Sequence, residues 1–418
     1  MRKRYVSLAF CICLLTGILT GCSIPFLANN TEKERTLVFS HWDVKNQKVY
    51  EALAQEYMKE HKGLTIEVQV VPREEYTDVW LQGVSKKNIA DVFAVPVDED
   101  FQAFSDSGKL LDLGKVLPDD YNRSLLQIGT RDGHVRAVPV TGSVPVVFYN
   151  KTFFKKCRLV LPQTISDFVV NCSILKQNGI TPFAMSKDES GFWDTADFVE
   201  GILANGPCDT GLMSNGEFFD KNTKLDSGFY DVVGLAFELK MSDLMVKKEE
   251  SVQGHQKLLE QFVNGACAMF PGNSDDIRKL RELDGNFNFG FFPMPGSKSS
   301  CAGVFKADMM LGISKKSKVV SDAKGFVNYL LSAEGQKLIC SGVSRIPATN
   351  HAVISNPDLA AARALLDTAD GMYPSLFQRI SYDKRAICVE KLDLAFSGSY
   401  GVLEYYMLDW TTKLKAVQ

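Results

Sequence analysis

Residues 36–96 read TLVFSHWDVKNQKVYEALAQEYMKEHKGLTIEVQVVPREEYTDVWLQGVSKKNIADVFAVP and set the fold class. Three short apolar runs, at 36–40, 64–71 and 90–95, have the length and composition of buried strands. Between these runs, apolar residues recur three and four positions apart, which is the spacing of amphipathic helices. Strands that alternate with helices of this length predict βαβ units, in a mainly parallel sheet with helices on both faces.

The remainder of the chain continues this alternation, with more helix in its middle. Periodicity predicts helices at 168–178, 196–204, 229–239 and 258–264, and strands at 145–149, 266–270, 287–292 and 308–313. A further helix pair begins near 323. No internal repeat or heptad is present, and 418 residues exceed one domain of about 150 residues. The sequence therefore predicts an α/β protein with two lobes.

The first residues indicate export. Three basic residues precede an apolar run from Tyr5 to Leu19, which is followed by small residues. This order is typical of a secretory signal peptide, because a run of about 15–17 apolar residues is shorter than a membrane span. Leu19-Thr20-Gly21-Cys22 is similar to a bacterial lipobox, which implies cleavage before Cys22 and lipid attachment to its sulfur. We expect 1–21 to be a leader and 22–35 a lipid-anchored tether at the outer face of the cell membrane.

The charge balance excludes one broad class of protein. The chain has 47 basic and 50 acidic residues, a net charge of −3. Residues 1–21 hold three basic residues and no acidic one, so their removal leaves 44 basic and 50 acidic residues, a net charge of −6. A polybasic nucleic-acid binder is excluded, and no nucleic-acid partner is expected.

Sequence motifs for catalysis or for metal and cofactor binding are missing. The five histidines are scattered without an HExxH pair, and no GxSxG elbow or phosphate-binding glycine loop is present. Of ten cysteines, Cys11 and Cys13 leave with the leader and Cys22 is consumed by lipid; the remaining seven form no CxxC. We therefore expect no metal and no cofactor, and binding without turnover is favoured over catalysis.

Polar and aromatic side chains follow two of the predicted strands. Trp42 and Asp43 come after the first strand, and Asp98 after the third. In open α/β sheets ligands bind beyond the carboxyl ends of the strands, and an aromatic face beside a carboxylate suits a sugar. Two structural interpretations stay open: Trp42 as a hydrophobic contact for the next helix, and Asp98 as part of an acidic helix start.

Six segments in order resemble one family. They are 138–151 (VPVTGSVPVVFYNK), 179–184 (GITPFA), 262–272 (FVNGACAMFPG), 288–296 (NFGFFPMPG), 311–318 (LGISKKSK), and 334–337 (EGQK) followed by 346–348 (IPA). The chain resembles the family 1 extracellular solute-binding proteins, the substrate-capturing lipoproteins of carbohydrate ABC importers, from about 36 to 416.

The resemblance implies a two-lobed, type II periplasmic-binding-protein-like fold with hinge crossings near Ser143–Pro145, Gly303–Lys306 and Arg345–Pro347. One lobe would combine 36–143 with 307–344, and the other 145–305 with 346–418. A monomer would close around a sugar or oligosaccharide between the lobes and deliver it to membrane permease subunits. The family segment that 179–184 resembles is a strand, so the resemblance implies a strand here.

The resemblance also implies which residues bind the ligand: Trp42, Asp43, Tyr76, Asp98, Ser143, Phe192, Trp193, Asp194, Asn273, Asp308, Arg345, Tyr373 and Phe377. One departure concerns Asn273, where the family often has a tryptophan that stacks on sugar. That platform would move to Trp193 or Trp42. We expect Trp193→Ala to weaken binding more than Asn273→Ala.

Three alternatives stay open at this point. A lipid-anchored glycoside-acting enzyme would need two carboxylates facing one cleft, and Asp43 with Asp98 is the pair that the sequence offers. A sensor that presents bound ligand to a kinase ectodomain would use the same closing clamp. A non-sugar solute, such as a polyamine, a metal chelate or a peptide, is also compatible with the acidic mature chain.

Overall fold

The computed structural model describes residues 34–86, 89–97, 100–189, 191, 194–205, 227–296, 303–366, 372–380, 382–397 and 403–416. The predicted leader, Cys22 and nearly all of the tether lie outside the described residues, as do Asp98, Phe192 and Trp193. Within the described ranges, no helix is both long enough and apolar enough to cross a membrane.

The strands, in chain order, are Arg35–His41 (β1), Leu64–Val70 (β2), Val92–Val95 (β3), Thr130–Arg131 (β4), His134–Val135 (β5), Val138–Ser143 (β6), Pro145–Asn150 (β7), Met269–Asn273 (β8), Phe289–Phe292 (β9), Gly303–Ile313 (β10), Ile346–Pro347 (β11) and Met372–Pro374 (β12). The α-helices are Gln47–Glu60 (α1), Arg73–Lys86 (α2), Asp100–Asp106 (α3), Lys151–Cys157 (α4), Ile165–Gln177 (α5), Ala196–Ala204 (α6), Ser227–Met241 (α7), His255–Val263 (α8), Asp276–Leu283 (α9), Val320–Leu331 (α10), Ala333–Val343 (α11), Pro357–Ala364 (α12), Tyr382–Ser397 (α13) and Leu403–Ala416 (α14). Short 3-10 helices span Val44–Asn46 and Arg123–Gln127.

The first sheet has the strand order β11-β6-β10-β3-β1-β2, and β12 pairs with β10. Alternate residues of β1 are buried, with Leu37, Phe39 and His41 fully inside. Helix α1 covers this sheet with Tyr50 and Leu53 among the residues of its buried stripe. The predicted β-α-β start of the chain is therefore confirmed.

The second sheet has the order β8-β7-β9. Its core is aromatic: Phe168 of α5, Phe198 of α6 and Trp410 of α14 are all fully buried, together with Phe183. Helix α5 begins at a capping box, in which the Thr164 hydroxyl accepts from the Asp167 amide and the Asp167 carboxylate accepts from the Thr164 amide. Helix α6 spans the residues that periodicity predicts.

Strand direction differs from the expectation of mainly parallel sheets. In the first sheet β1 runs parallel to β2 and β3, but β10 runs antiparallel to β3 and β6. In the second sheet β7 is antiparallel to both neighbours. Periodicity reports which face of a strand is buried and not its direction, which depends on how the chain returns to the sheet.

The predicted strand at 179–184 is also corrected. Only Phe183 of this segment forms β-bridges, to Met245 and Met269. Pro182 has no N–H to donate, so a continuous ladder cannot form through it.

The chain passes from the first sheet to the second between β6 and β7, and segments of β10 and β11 lie beside this passage. Strand β6 ends at Ser143 and β7 begins two residues later, in the other sheet. Beside it, Lys306 of β10 pairs with Ser143, and Ile346 of β11 pairs with Gly142. The resemblance implies hinge crossings at these three segments, and that role stays a prediction.

A side chain reinforces β10 next to this passage. The Gln378 Nε2 donates to the Ala307 carbonyl at 2.6 Å, and its Oε1 accepts from the Ala307 amide at 2.8 Å. All of these atoms are buried. The amide therefore makes the two main-chain hydrogen bonds that a neighbouring strand would make, and it ties the C-terminal region to β10.

Candidate functional site

The end of β1 presents an aromatic ring that neighbouring side chains hold in place. Trp42 is partly buried, meets Tyr76 edge-on at 5.0 Å between ring centroids, and has the Arg73 guanidinium 5.2 Å from its ring centre. Tyr76 lies beneath it in the core, and its hydroxyl donates to the Ser40 carbonyl at 3.0 Å. Burial raises the pKa of Tyr76 well above its usual value. The position of Tyr76 favours a supporting role over direct ligand contact.

Asp43 is fixed by the turn that follows β1. Its carboxylate accepts from the Asn46 amide at 3.3 Å and from the Asn46 side chain at 3.0 and 2.8 Å. Its own amide donates to Nδ1 of the buried His41 at 3.2 Å. Burial is the main cause of a strongly raised pKa of Tyr50, and the Asp43 carboxylate adds to it. Asp43 is thus a preorganised acceptor at the edge of the first sheet.

Arg345 links carboxylates of the two sheets. Its Nη2 lies 3.2 Å from Asp308 Oδ1 on β10, and its Nη1 donates to Asp275, which follows β8. Burial raises the pKa of Asp275 to about 6 and also raises that of Asp308, while Arg345 opposes both shifts. Burial disfavours the charge on Arg345, but Asp308 and Asp275 more than offset this effect and raise its pKa. The charge of Asp43 acts on both Asp308 and Arg345, so these groups form one cluster.

A pocket of about 230 Å³ lies beside this cluster. It is lined by Asp194, Asp197, Phe198, His255, Pro271, Gly272, Asn273, Asp275, Asp276, Lys279 and Lys306. Across it, Lys306 of β10 donates to Asp197 in the first turn of α6. The Asn273 side chain donates to the other Asp197 oxygen at 2.8 Å. The pKa of Lys306 is raised although burial opposes its charge, because Asp197 is its close partner.

The floor of the pocket holds an ion pair. His255 Nε2 lies 2.8 Å from Asp276 Oδ2, which also accepts from the Asn273 amide at 3.1 Å, and Lys279 donates to Oδ1 at 3.0 Å. Burial opposes both charges, but the contact with Asp276 raises the pKa of His255, and that with His255 lowers the pKa of Asp276. The two shifts agree, because this contact favours the charged form of both groups.

Asp194 is the exposed carboxylate at the mouth of the pocket. Its Oδ2 lies 3.9 Å from His255 Nδ1, and half of its side-chain surface is accessible. Partial burial is the main cause of its raised pKa, and the nearby Asp197 carboxylate adds to the shift. It is placed to accept hydrogen bonds from a ligand.

The structure brings together only part of the predicted site. Asp43, Asp308 and Arg345 share one cluster, and Asp194 and Asn273 line the neighbouring pocket. Ser143 is buried at a passage between the sheets, within the register of β6 and β10.

Two predicted residues lie elsewhere. Tyr373 and Phe377 belong to the buried aromatic core of the second sheet. The Phe377 amide donates to Glu200 Oε1 at 2.6 Å, and burial raises the pKa of this carboxyl. Both aromatic rings stabilise the C-terminal region rather than line the pocket.

Sequence reasoning missed six charged residues of the site, namely Asp197, His255, Asp275, Asp276, Lys279 and Lys306. The signal for Lys306 was its place in a predicted crossing, two residues before Asp308. Asp197 and Lys306 are 109 positions apart, and no local pattern joins them. Among the residues that the structure describes, no three His, Cys, Asp or Glu side chains are arranged to hold a metal ion.

Comparisons with known proteins agree with this architecture. Residues 42–337 match the family model described as bacterial extracellular solute-binding protein. The chain is 23% identical over 338 residues to a multiple sugar-binding protein of Streptococcus mutans, covering 78% of this chain and 77% of that protein.

Solved structures show the same fold. The apo form of RafE from Streptococcus pneumoniae is similar with a TM-score of 0.72 at 19% identity, over 91% of this chain and 96% of that one. A family 1 extracellular solute-binding protein from Bifidobacterium longum subsp. infantis is similar with a TM-score of 0.76 at 16% identity, over 92% and 98% of the two chains. The predicted two-lobed α/β fold is confirmed, and, because the family model spans most of its length, the chain belongs to the bacterial extracellular solute-binding protein family.

Proposed function

We propose that this protein captures a sugar or oligosaccharide in the cleft between its two sheets and delivers it to an ABC permease. The observation that carries the proposal is the pocket beside Arg345, whose polar groups come from both β8 and β10. Sugar hydroxyls donate to carboxylates and accept from ammonium and guanidinium groups, and charge-assisted hydrogen bonds of this kind are strong. The name of the Streptococcus mutans relative supports this class of ligand.

Trp42 supplies the apolar half of sugar recognition in this proposal. The C–H face of a pyranose stacks on an aromatic ring, while its edge hydroxyls reach a nearby acceptor such as Asp43. Both side chains are already held by neighbours, Trp42 by Tyr76 and Arg73. A preordered platform loses little conformational entropy when the ligand binds.

Delivery rests on closure of the cleft. The proposed lobes combine 36–143 with 307–344, and 145–305 with 346–418. A ligand that contacts both the Asp43 side and the Asp194 side stabilises the closed form, because only that form makes both sets of contacts. Hinge closure of this kind gives the permease a shape that reports a bound ligand.

Binding without catalysis is the favoured reading of the carboxylates. Both oxygens of Asp43 hold the Asn46 side chain, and Asp197 is paired with Lys306 and Asn273. A glycosidase needs two carboxyl groups free to act on one bond. An assay for release of reducing sugar from candidate oligosaccharides tests this point, and turnover would overturn it.

We also propose that Cys22 carries the lipid that holds the protein at the outer face of the membrane. Membership of an extracellular family supports the location. The intact mass of the chain recovered from membranes tests the anchor, and we expect it to show a chain that begins at Cys22 and carries a diacylglycerol group. A membrane-bound chain with an unmodified Cys22 would refute the proposal.

The solute class is tested by thermal shift against mono- and oligosaccharides, with polyamines, peptides and metal chelates in parallel. A ligand that binds only the folded state raises the melting temperature, by an amount that grows with its concentration relative to Kd. We expect one or more sugars to do so. A shift with another class alone, with none for sugars, would overturn the carbohydrate assignment.

A further inference from the structure

The end of the first sheet opposite the proposed cleft concentrates lysines. Strands β1, β2 and β3 begin at this end, and β10 ends there, because β10 runs antiparallel to β3. The loops and helix ends at these strand termini carry Lys62, Lys86, Lys109, Lys315, Lys316 and Lys318, which we call the lysine end. All of these lysines are exposed except Lys109, which is partly buried.

The lysine end is a built surface rather than a scatter of side chains. The Lys315 amide donates to the Lys109 carbonyl at 2.8 Å, which fixes the two loops against each other. Lys109 and Lys316 line a small pocket of about 60 Å³ together with Ser314, Ser317 and Asp91.

The two serine hydroxyls of this pocket are held by backbone. Ser314 Oγ accepts from the Lys316 amide at 3.1 Å, and Ser317 Oγ accepts from the Val319 amide at 3.1 Å. Each hydroxyl hydrogen can still donate. Two lysines and two hydroxyls line this pocket and are groups that bind a phosphate oxygen, while the Asp91 carboxylate in the same lining opposes an anion.

Acidic groups at this end cancel only part of the charge. The Asp91 carboxylate accepts from the Val38 amide at 2.9 Å, and Asp322 pairs with Arg35 at 3.2 Å. Glu34, Glu60 and Asp106 are exposed, and Asp106 ends α3 three residues before Lys109. Six lysines outnumber these carboxylates on a chain whose net charge after loss of residues 1–21 is −6. The excess positive charge is therefore local to this end.

The tether enters at the same end. Strand β1 begins at Arg35, whose amide donates to the Gly63 carbonyl next to Lys62 at 2.8 Å. Residues 22–34 span at most about 45 Å when fully extended. A lipid on Cys22 would therefore keep the lysine end within reach of the bilayer surface.

We propose that the lysine end docks on the phosphate groups of anionic phospholipids. The proposal rests on the membrane anchoring proposed above. In this posture Trp42 and Asp43, at the opposite end of β1, face away from the bilayer toward incoming solute. Each lysine near an anionic surface adds a modest, salt-sensitive attraction, so the contact is reversible and the protein can turn to meet its permease.

The test uses the full chain recovered from membranes and reconstituted by its own anchor into two kinds of vesicle. One is phosphatidylcholine alone, and the other contains about one third phosphatidylglycerol. Brief acetylation followed by mass spectrometry reports how accessible each lysine is. We expect labelling of Lys315, Lys316 and Lys318 to fall at least about threefold in anionic vesicles and to recover in about 0.5 M NaCl. The exposed lysines of α4 serve as internal controls and should label equally in both vesicles.

Two matched triple variants distinguish an effect of the lysine end from an effect of the net charge of the protein. In a Lys315→Gln, Lys316→Gln, Lys318→Gln chain, anionic vesicles should no longer protect Lys109. A Lys151→Gln, Lys155→Gln, Lys156→Gln chain removes the same charge from α4 and should keep that protection.

Three outcomes would overturn the docking proposal. They are equal labelling in both vesicles, protection that survives high salt, and equal loss of protection in both triple variants. The intact mass of the same sample reports the lipid anchor independently. The thermal shift with sugars tests the proposed solute separately. If no sugar raises the melting temperature, the lysine labelling pattern is still expected.

Discussion

Arg345 and Asp275 join the two sheets: the guanidinium follows α11 beside the first sheet, the carboxylate follows β8 of the second, and Asp308 of β10 is 3.2 Å from the same guanidinium. A buried ion pair contributes less stability than its Coulomb energy suggests, but loss of one partner leaves a charge with poor solvation. The geometry between these residues is therefore sensitive to substitution.

Arg345→Met should lower the free energy of unfolding by about 2 kcal/mol at pH 8, since two carboxylates lose their shared cation in a partly exposed site. The pKa of Asp275 is about 6 with Arg345 present and rises further without it. At pH 5 Asp275 is then mostly protonated, so the loss should be smaller there. Urea denaturation at both pH values measures it, with Arg278→Met, in an exposed pair with Glu282, as control. An equal loss at both pH values would contradict this account.

Trp42→Ala should weaken binding of the cognate sugar about tenfold or more, because the stacking face is removed. Trp42→Phe should recover part of the loss. Calorimetric titration measures both, and Val44→Ala, at an exposed position in the next turn, is the control. Unchanged affinity in Trp42→Ala would show that the platform is elsewhere.

Asn273→Ala should affect affinity less than Trp193→Ala, in keeping with the expectation drawn from the sequence. The Asn273 side chain donates to Asp197 and accepts from the Asp275 amide at 3.0 Å, so it acts within the protein. Loss of this side chain should lower the melting temperature more clearly than it lowers the affinity for sugar. Titrations in which Asn273→Ala is the weaker binder of the two would reverse this ranking.

His41→Asn should flatten the acid side of the stability profile. Burial lowers the pKa of His41 to about 4, and its Nε2 has no hydrogen-bond partner among the described residues. Below about pH 6.5 the unfolded chain binds a proton that the folded chain refuses, so stability present above this pH is lost as the pH falls. Between pH 7 and pH 5 the free energy of unfolding of the wild type should fall by about 2 kcal/mol relative to that of His41→Asn. The asparagine side chain can still accept from the Asp43 amide. Parallel profiles would contradict the prediction.

Gln378→Leu should lower the free energy of unfolding by about 2–4 kcal/mol, because the buried Ala307 amide and carbonyl both lose a partner. Gln378→Glu keeps an acceptor for the amide and should cost less than Gln378→Leu near pH 5. Gln256→Leu, at an exposed position, is the control. Chemical denaturation monitored by fluorescence measures the series. If Gln378→Leu lowers the free energy of unfolding no more than the control does, the hydrogen bonds between Gln378 and Ala307 do not stabilise the protein as proposed.

The local hydrophobic pattern predicts those helices and strands that bury one face. The alternation in β1 and the stripe of α1 are visible in sequence because burial repeats at the period of each element. Strand β10 was predicted at 308–313 but begins at Gly303. Its first part holds Lys306, a charged residue whose partner Asp197 lies in another element, so hydrophobic periodicity does not reveal it.

The cluster itself depended on tertiary placement. Asp43, Asp308 and Arg345 were named from a resemblance, and nothing in their spacing shows that their charges interact. Asp275 was missed because an acid after a strand is common at helix starts. Its role is set by Arg345, 70 positions later.

Strands β6, β10 and β11 are hydrogen-bonded side by side at the proposed hinge, with Ser143 opposite Lys306 and Gly142 opposite Ile346. A narrow ribbon of paired strands bends easily out of its plane but resists stretching and sliding, because either motion would break main-chain hydrogen bonds. In the proposed closure, one lobe therefore rotates relative to the other about an axis across the ribbon. A protein that closes in this way would report a bound ligand through one angle, and a reagent that stiffens the ribbon would prevent closure without touching the pocket.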